Sequence, residues 1–423
     1  MLTLPLILLS ALVCLPIAVV AIETLAALLL PRPPVSVSSV NEFSAIRNPI
    51  SALGLAFPRV PSLCDIRNPL SAIRYSTAVL IPAHNEERGI AATLASIQSQ
   101  LSSGDRLLVV ADNCTDATAA VARAAGAEVI ERHSDTEKGK GFALAAGVAH
   151  LSAAAPDVVV ILDADTLPEA GAIDALARAA GAGGRPIQSL YLLELPHEAS
   201  PRSSISAFAF CIKNHVRPLG AQRLGIPCHL TGAGMAFSWK IISEAKLATG
   251  NIVEDMQLGM ELAIAGHSPR FCPQARVLGR LPDTVSAAAT QRTRWEHGHL
   301  QTILHNCPRL IWQGIRQGRP SLIALALDLA VPPLALLVLM GCVATAAAAG
   351  FWWLGLASRT PLLILLAGGA TLAASILLAW WRFARQILPA ATLAAIPLYI
   401  LWKIPLYLAF LFRRQKAWIR TAR

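Results

Sequence analysis

Two aspartates separated by one residue give the first chemical signal in the sequence. Asp163 and Asp165 directly follow an apolar run at 158–162 that is typical of a buried strand. Alternate residues of a strand share a face roughly 6.6 Å apart, and two carboxylates on one face repel each other unless a cation lies beside them. Their oxygens suit Mg²⁺ or Mn²⁺, which bridge phosphates. The alternative is a pair of solvated loop acids, with Asp165 capping the next helix.

Two polar clusters that precede this pair also have two interpretations each. Lys140 lies between two glycines at the start of a predicted helix, where a lysine and backbone N–H groups can face phosphate. A flexible helix cap is the alternative. Asp112 and Asp116 follow another apolar run and could contact a ligand, although Asp is also favoured there as a turn or cap residue.

Three clusters farther along the chain could complete a site. Residues 231–235, TGAGM, form a glycine loop that allows close backbone approach, unless it is an ordinary turn. The acid pair at 254–255 opens a predicted helix, where negative charge is also favoured by the helix dipole. The motif QRTRW places Gln291, Arg294 and Trp295 near one helical face. Its alternative is an interfacial tryptophan with basic neighbours.

An alternation of strand and helix patterns between residues 75 and about 280 would position these clusters. The predicted strands are 75–82, 106–111, 128–132 and 158–162, and the predicted helices are 86–101, 117–125 and 142–151. Strands that are apolar on both faces belong to parallel sheets covered by helices, which predicts an α/β fold. Ligands of such sheets bind beyond the carboxyl ends of the strands. The polar clusters follow strand ends, so the sequence predicts one site at that edge.

The two ends of the chain predict a membrane protein. Only 15% of the 423 residues are charged, against about 25% in soluble domains. The apolar runs are 1–30, 322–350, 361–381 and 388–412. About 20 apolar residues can span a bilayer, and the first run reads as a retained anchor because it is too long for a signal peptide and no basic residue precedes Arg32. Pro389, Pro397 and Pro405 interrupt the last run, which favours an interfacial or re-entrant segment.

The positions of the basic residues predict the orientation in the membrane. The formal net charge is +10, which in a soluble protein would suggest nucleic acid, but here the excess flanks the apolar runs. These residues are Arg32, Arg47, Arg59, Arg67 and Arg74, then Arg309, Arg316 and Arg319, and finally the tail after Phe412. Basic residues beside spans mark the cytoplasmic side, which predicts a cytoplasmic domain and tail. The eight cysteines contain no C-x-x-C pair, so neither a zinc site nor a disulfide framework is expected.

In their order, these clusters resemble the family 2 glycosyltransferases of the GT-A fold, in the membrane-bound branch of the cellulose, chitin and hyaluronan synthases. The resemblance covers roughly residues 75–300. It implies an α/β, Rossmann-like GT-A domain with flanking transmembrane helices, multi-pass in the cytoplasmic (inner) membrane. With the apolar runs, it divides the chain into an N-terminal transmembrane helix (1–31), a cytoplasmic linker (32–74), the GT-A domain (75–298), an amphipathic interface helix region (299–320), C-terminal transmembrane or interfacial helices (321–412) and a basic cytoplasmic tail (413–423).

The resemblance also implies a role for each matching residue. On the donor side, it assigns Ala83 and Glu86 to the uridine pocket, Asp112 to the nucleotide, Lys140 to the diphosphate or donor sugar, and Arg294 to the pyrophosphate. Asp163 and above all Asp165 would bind a Mg²⁺ or Mn²⁺ ion, and Asp255 would be the catalytic base. The acceptor would be contacted by Gly234, Gln291 and Trp295. Ala111 replaces the first acid of the family's usual Asp-Asp-Gly, and Asn113-Cys114 replaces Gly-Ser. These departures leave the base preference open.

The implied activity is an inverting, metal-dependent transfer from a UDP-sugar to a growing polysaccharide, such as an exopolysaccharide. The expected partners are that nucleotide-sugar donor, a glycan or lipid-linked acceptor, membrane lipids and an export partner, but no nucleic acid. The small number of spans favours the alternative, addition of one sugar to a polyprenyl- or lipid-linked acceptor. A membrane-tethered nucleotidyltransferase is an alternative of another class, and the intact carboxylates argue against a non-catalytic assembly component.

Residues 300–315 have apolar side chains at helical spacing, which resembles the amphipathic helix that seats such domains on a membrane, with ordinary domain packing as the alternative. Pro308 is expected to kink this helix. His297, His299 and His305 do not share one helical face, so they are predicted to be structural or solvated and not metal ligands.

Overall fold

The computed structural model describes residues 2–31, 74–196, 199–250, 253–280 and 285–412, without the side chains of 285–288 and 411. Most of the predicted linker and the whole basic tail therefore lie outside the described residues. The predictions for the basic residues in those segments stay predictions.

One mixed sheet forms the centre of the described structure. Its strands are β1 (Thr77–Ala83), β2 (Arg106–Asp112), β3 (Glu128–Arg132), β4 (Val158–Ile161), β5 (Thr166–Pro168), β6 (Ile187–Glu194), β7 (Met235–Ser238) and β8 (Arg270–Arg280). They lie in the order β3-β2-β1-β4-β7-β6-β8-β5. The four strands predicted from the sequence are parallel, as expected, whereas β7 runs antiparallel to both β4 and β6. The second half of the sheet was not predicted.

Helices cover both faces of this sheet and continue beyond it. In chain order they are α1 (Thr3–Leu29), α2 (Ile90–Gln98), α3 (Thr118–Ala124), α4 (Lys140–Leu151), α5 (Ala172–Gly183), α6 (Pro201–Cys211), α7 (Arg217–Arg223), α8 (Trp239–Ser243), α9 (Glu254–Ile264), α10 (Val285–Arg316), α11 (Pro320–Leu329), α12 (Leu334–Trp353), α13 (Thr360–Ala379) and α14 (Ile396–Phe412). A π-helical segment, Ile212–Val216, joins α6 to α7.

The apolar strands are buried on both faces, which is the physical reason for the α/β architecture. Leu80 and Ile81 are neighbours in β1, point to opposite faces and are both fully buried. Ile81 packs in a cluster with Ile90 and Leu94 of α2. On the other face α4 approaches closely, because a Cβ added to Gly147 would lie 2.4 Å from a methyl carbon of Leu80.

Four apolar helices in the described residues are long enough to cross a membrane. They are Thr3–Leu29, Leu334–Trp353, Thr360–Ala384 and Ala390–Phe410. The first and third match predicted runs. The run at 322–350 also overlaps a helix long enough to span, Leu334–Trp353, but the run is not one continuous helix, because α11 ends at Leu329 and α12 begins at Leu334. Pro332 and Pro333 explain the break, since proline lacks the N–H that would continue a helix and restricts the residue before it.

The last apolar run is helical for most of its length. Residues Ala390–Ala395 form a 3₁₀ turn, and Pro397 lies in the first turn of α14, where no N–H is needed. Its length is sufficient to span. However, Lys403 in its middle forms a buried ion pair with Glu296 of α10. The interfacial placement of this segment therefore stays a prediction.

Helix α10 extends from the central domain into the predicted interface region. It is continuous from Val285 to Arg316, so the predicted boundary at 298–299 does not coincide with a helix end. The helix also continues through Pro308, and the expected kink there stays a prediction.

A buried ion-pair network joins α1 to the central domain. Arg217 of α7 donates from Nε to Glu23 of α1 at 2.8 Å and also contacts Asp328 of α11. His229 Nε2 lies 3.2 Å from Asp328. At Gly220 the two helices are so close that a Cβ would lie 2.0 Å from the carbonyl oxygen of Glu23. The first apolar helix is thus fixed to the domain by both charge and packing.

Replacement of Arg217 tests this connection. Arg217→Met leaves the buried carboxyl groups of Glu23 and Asp328 without their shared cation, and removing one partner of a buried pair costs roughly 3–5 kcal/mol. We expect a clear fall in the thermal unfolding temperature of the full chain in detergent. The control is Arg178→Met, which removes an exposed pair with Asp174 and should change the unfolding temperature little. Equal effects of the two substitutions would contradict a structural role of the network.

Candidate active site

A cavity of about 980 Å³ lies at the carboxyl ends of the central strands and extends to the apolar helices. Asp112, Asp165 and Asp255 line its polar part. Val20 of α1 and Ile376 of α13 line its apolar part. The predicted site residues other than Gly234 therefore line one cavity, together with helices that are long enough to span a membrane.

The ends of β1 and β2 form one wall of this cavity. Ala83 and Glu86, which are predicted to line a uridine pocket, both line this cavity. The backbone N–H of Glu86 donates to Thr118 Oγ1 at 2.7 Å, which fixes the turn after β1. Asn85 and Asn113 have positive φ values of 56° and 51°, a conformation that Asn tolerates better than most residues. Two left-handed turns therefore shape this wall.

Asp112 is held by an arginine that sequence reasoning missed. Arg132 Nη1 donates to Asp112 Oδ1 at 2.8 Å, and the same guanidinium bonds Glu137 and lies 5.4 Å from the ring centre of Phe142. The pKa of Arg132 is raised, chiefly by the hydrogen bond to Asp112. Its position at the end of β3, paired in register with Asp112, could have indicated it.

Asp163 and Asp165 lie in a turn and not within a strand. β4 ends at Ile161 and β5 begins at Thr166, whose N–H donates to the carbonyl of Asp163 at 3.1 Å. The argument that the two carboxylates share a strand face is therefore wrong, although both side chains line the cavity. Lys140 Nζ lies 2.5 Å from Asp163 Oδ1 and donates to the carbonyl of Gly232 at 3.0 Å.

Burial and nearby charges shift the pKa values of Glu254, Asp255 and Lys140 itself. Burial, with the neighbouring Asp255, raises the pKa of Glu254 to about 8 although Lys140 opposes it. Burial also raises the pKa of Asp255, against the lowering effects of Lys140 and Lys213. Burial lowers the pKa of Lys140, but Asp163 and Glu254 outweigh that effect and the net shift is upward. Lys140 is therefore charged while part of the acid cluster holds protons near neutral pH.

The side chains that could bind a metal ion fit a hard divalent cation only in part. Among the described residues there is no group of three or more His, Cys, Asp or Glu side chains that could hold a metal ion. Mg²⁺, however, is usually held by one or two carboxylates together with waters and substrate phosphates. Asp163 and Asp165 provide two carboxylates on the cavity wall, which fits an ion bound together with a phosphate-bearing ligand.

Two glycines of the TGAGM loop have different environments. Gly232, with φ of 90°, lines the cavity, and a Cβ there would lie 3.0 Å from Asp255 Oδ2. Gly234, predicted to contact the acceptor, lies between strands, where a Cβ would be 1.9 Å from Ser189 Oγ. Its N–H donates to the carbonyl of Ile161 at 3.0 Å. The structure thus places Gly232 at the cavity and Gly234 inside the sheet.

Helix α10 forms the wall opposite the strand ends. Gln291, Arg294 and Trp295 all line the cavity, as their spacing predicted. The indole of Trp295 lies against Phe210, with ring centres 5.6 Å apart. Glu296, the next residue, contacts Lys403 of α14.

The three histidines of α10 make backbone contacts. His297 Nε2 lies 3.0 Å from the carbonyl oxygen of Leu406, and His299 Nε2 lies 3.3 Å from that of Leu329. His305 contacts a carbonyl within its own helix. These contacts agree with the predicted structural role.

Comparison with known proteins gives one family and several distant relatives. The family model described as "Glycosyltransferase like family 2" matches residues 74–298. A probable glycosyltransferase of Bacillus subtilis, YdaM, is 28% identical over 54% of this chain and 56% of its own length. The uncharacterized glycosyltransferase Rv0539 of Mycobacterium tuberculosis is 41% identical over 23% of this chain and 39% of its own length. The chain thus spans about half the length of the curated relatives it matches, or less.

Solved structures with a similar fold are more distant. A mannosyltransferase from Pyrobaculum calidifontis, in complex with GDP-Man and Mn²⁺, covers 79% of this chain and 89% of its own, at 21% identity and a TM-score of 0.48. Glucosyl-3-phosphoglycerate synthase from Mycobacterium tuberculosis, in complex with Mn²⁺, UDP and glucosyl-3-phosphoglycerate, covers 54% of this chain and 79% of its own, at 23% identity and a TM-score of 0.39.

Arg132 offers a test of the strand-end wall. Arg132→Met leaves the Asp112 carboxylate, which is 6% exposed, without its cation, so we expect weaker nucleoside diphosphate binding by about tenfold. Calorimetric titration of the full chain with UDP and GDP would measure it. Arg106→Met is the matched control, because it removes a similar pair between β2 and β3, with Glu128, that does not line the cavity. Unchanged binding in Arg132→Met would show that Asp112 does not contact the nucleotide.

Proposed function

This chain belongs to the glycosyltransferase-like family 2, and on that premise we propose that it transfers a sugar from a nucleoside diphosphate donor to an acceptor carried by a membrane lipid. The chain is a glycosyltransferase, and its central domain has the GT-A fold with flanking apolar helices. The observation that supports a lipid acceptor is the continuity of one cavity from Asp255 to Val20 and Ile376.

The donor would bind at the strand-end wall. Ala83, Glu86 and Asp112 would contact the nucleoside, with UDP as the donor nucleotide that the family resemblance implies. Lys140 and Arg294 line the same cavity and would face the diphosphate. A nucleoside diphosphate leaves readily only when its growing negative charge is neutralised, and fixed cations in a buried site do this well. Asp163 and Asp165 would hold a Mg²⁺ or Mn²⁺ ion, which supplies further counter-charge to that leaving group.

Asp255 is the proposed general base. One of its oxygens accepts the N–H of Met256 at 2.8 Å, while the other faces the loop at Gly232. It would take the proton of an acceptor hydroxyl as that oxygen attacks the anomeric carbon. A carboxylate with a raised pKa is a stronger base, and such catalysis typically contributes about 10²- to 10⁴-fold. A mechanism that uses one general base and no carboxylate nucleophile corresponds to transfer with inversion at the anomeric carbon.

The acceptor would reach Asp255 from the apolar end of the cavity. Trp295 and Phe210 present ring faces on which a sugar can stack, and Ile400 of α14 adds an apolar wall. A water-soluble acceptor has no need for walls contributed by helices that can span a membrane. We also propose that the domain faces the cytoplasm of the inner membrane, because Arg309, Arg316 and the tail flank the apolar helices.

Extension of a polysaccharide is the second candidate. The observation that favours it is the position of Gln291, Arg294 and Trp295 on the cavity wall, since this motif in the synthase-like branch accompanies chain extension. The family match does not support the nucleotidyltransferase alternative.

Donor turnover tests the assigned base. The full chain in detergent, with Mn²⁺ or Mg²⁺ and a panel of nucleotide sugars, should release nucleoside diphosphate from one preferred donor. Asp255→Asn keeps the side-chain shape but cannot take a proton, so we expect at least about a 100-fold loss of rate with donor binding retained. Asp174→Asn, an exposed change on α5, should behave as wild type. Retained turnover in Asp255→Asn would reject the base, and failure of every donor both to bind and to turn over would reject the proposed function.

Product partition tests the acceptor class. Membranes containing the protein and a radiolabelled donor should yield a labelled product of one added sugar that partitions into an organic solvent. Label that instead accumulates in a water-soluble, alcohol-precipitable fraction growing with time would favour the polysaccharide candidate. Membranes with Asp255→Asn provide the background.

A further inference from the structure

Lys213 is a cation in the cavity that the proposed donor chemistry does not use. It lies in the π-helical segment Ile212–Val216 and lines the cavity. In the part of the chain that the structure describes, its ammonium group has neither a hydrogen bond nor an ion pair. Burial lowers its pKa, while the negative charge of Asp255 acts in the opposite direction.

This situation differs from that of three other basic residues on the same cavity. Lys140 is paired with Asp163, Arg217 with Glu23 and Lys403 with Glu296. Enclosing an ammonium without a partner is costly, because the group loses hydration and gains no compensating contact. An anionic ligand in the cavity would supply the missing contact.

Asn214, the next residue, is a second polar group without a partner. It is 4% exposed and lines the same cavity, and its Oδ1 atom has no hydrogen-bond partner. A π-helical turn inserts an extra residue into a helix and is frequently found at functional sites. Here two consecutive polar side chains of such a turn line one cavity. The amide can donate to an oxyanion or accept from a protonated one.

The position of Lys213 connects it with the acceptor side of the cavity. The charged groups that act on it include Asp255, the proposed base, and Arg217, which binds Glu23 of α1. The donor side is marked by Lys140, whose partners are Asp163 and Glu254. Lys213 is therefore associated with the base and the first apolar helix, where an acceptor would approach.

We propose that Lys213 and Asn214 form a phosphate subsite for the acceptor, so that the substrate carries a phosphate or diphosphate group in addition to its attacking hydroxyl. The inference rests on the proposed function and narrows its acceptor. The subsite takes no part in bond formation: it binds the phosphate oxygens and thereby positions the hydroxyl near Asp255. The proposed function places this phosphate on a lipid headgroup, and a soluble phosphate ester, which offers the same group, is an outcome that the experiment distinguishes.

Binding of defined probes tests the subsite. The full chain in detergent is titrated with farnesyl phosphate, farnesol, inorganic phosphate, and UDP with Mn²⁺. Lys213→Met should weaken farnesyl phosphate binding by about tenfold or more, as expected for loss of a charge-assisted contact, and leave the Kd values for farnesol and UDP unchanged. Lys213→Arg should retain most of the affinity. Lys240→Met, which removes an exposed lysine of α8, is the matched control and should change none of these values.

Asn214→Asp is a second variant that keeps Lys213 in place. Its negative charge should repel the phosphate and weaken farnesyl phosphate binding without affecting UDP. An affinity for farnesyl phosphate well above that for inorganic phosphate supports a lipid phosphate, and equal affinities for the two probes support a soluble ester. Farnesyl phosphate binding that is unchanged in both variants, or a loss of UDP affinity by the same factor, would overturn the subsite. Donor turnover is measured separately, so a failure of the proposed function is distinguishable from a failure of the subsite.

Discussion

The ion pair between Lys140 and Asp163 is the interaction on which the rest of the site depends. Lys140 begins α4, Asp163 follows β4, and the same ammonium group also binds the backbone of the TGAGM loop at Gly232 and lies 3.9 Å from Glu254 of α9. One cation therefore fixes four segments that are far apart in the sequence. Burial raises the pKa values of the nearby Glu254 and Asp255, so the cluster avoids the repulsion that full ionisation would cause.

Much of this arrangement could be predicted from the sequence, and the exceptions have physical causes. The strands around Leu80 and Val160 were predictable because apolar residues on both faces of a strand have few other uses. The helix break near Pro332 was missed because summed hydropathy does not register backbone constraints. Arg132 was missed because its significance depends on its contact with Asp112 in the neighbouring strand. Lys213 was missed because its significance depends on the lack of a charged partner in the described fold. Neither relation can be read from the order of the residues alone. Gly234 was misplaced because its positive φ serves packing and not ligand approach.

The apolar helices, which are long enough to cross a membrane, also contribute to the walls of the site. Trp402 of α14 is contacted by two guanidinium groups, Arg202 at 4.0 Å and Arg292 at 5.5 Å from its ring centre, while the neighbouring Lys403 pairs with Glu296. The contacts of Arg292 and Glu296 hold α14 against α10, the helix that carries Trp295, and the contact of Arg202 holds α14 against α6. The position of the last apolar helix and the shape of the cavity wall that carries Trp295 are therefore physically linked.

The network at Arg217 has a consequence for how this sequence can change over time. Arg217 is 194 residues from Glu23 and 111 residues from Asp328, yet the three side chains share one buried set of charges. A substitution at any one of them leaves the others uncompensated, so a neutral replacement is tolerated only when its partners change as well. In an alignment of homologues, these three positions should covary as a unit, and their joint loss would mark lineages in which the first helix is held to the catalytic domain in a different way.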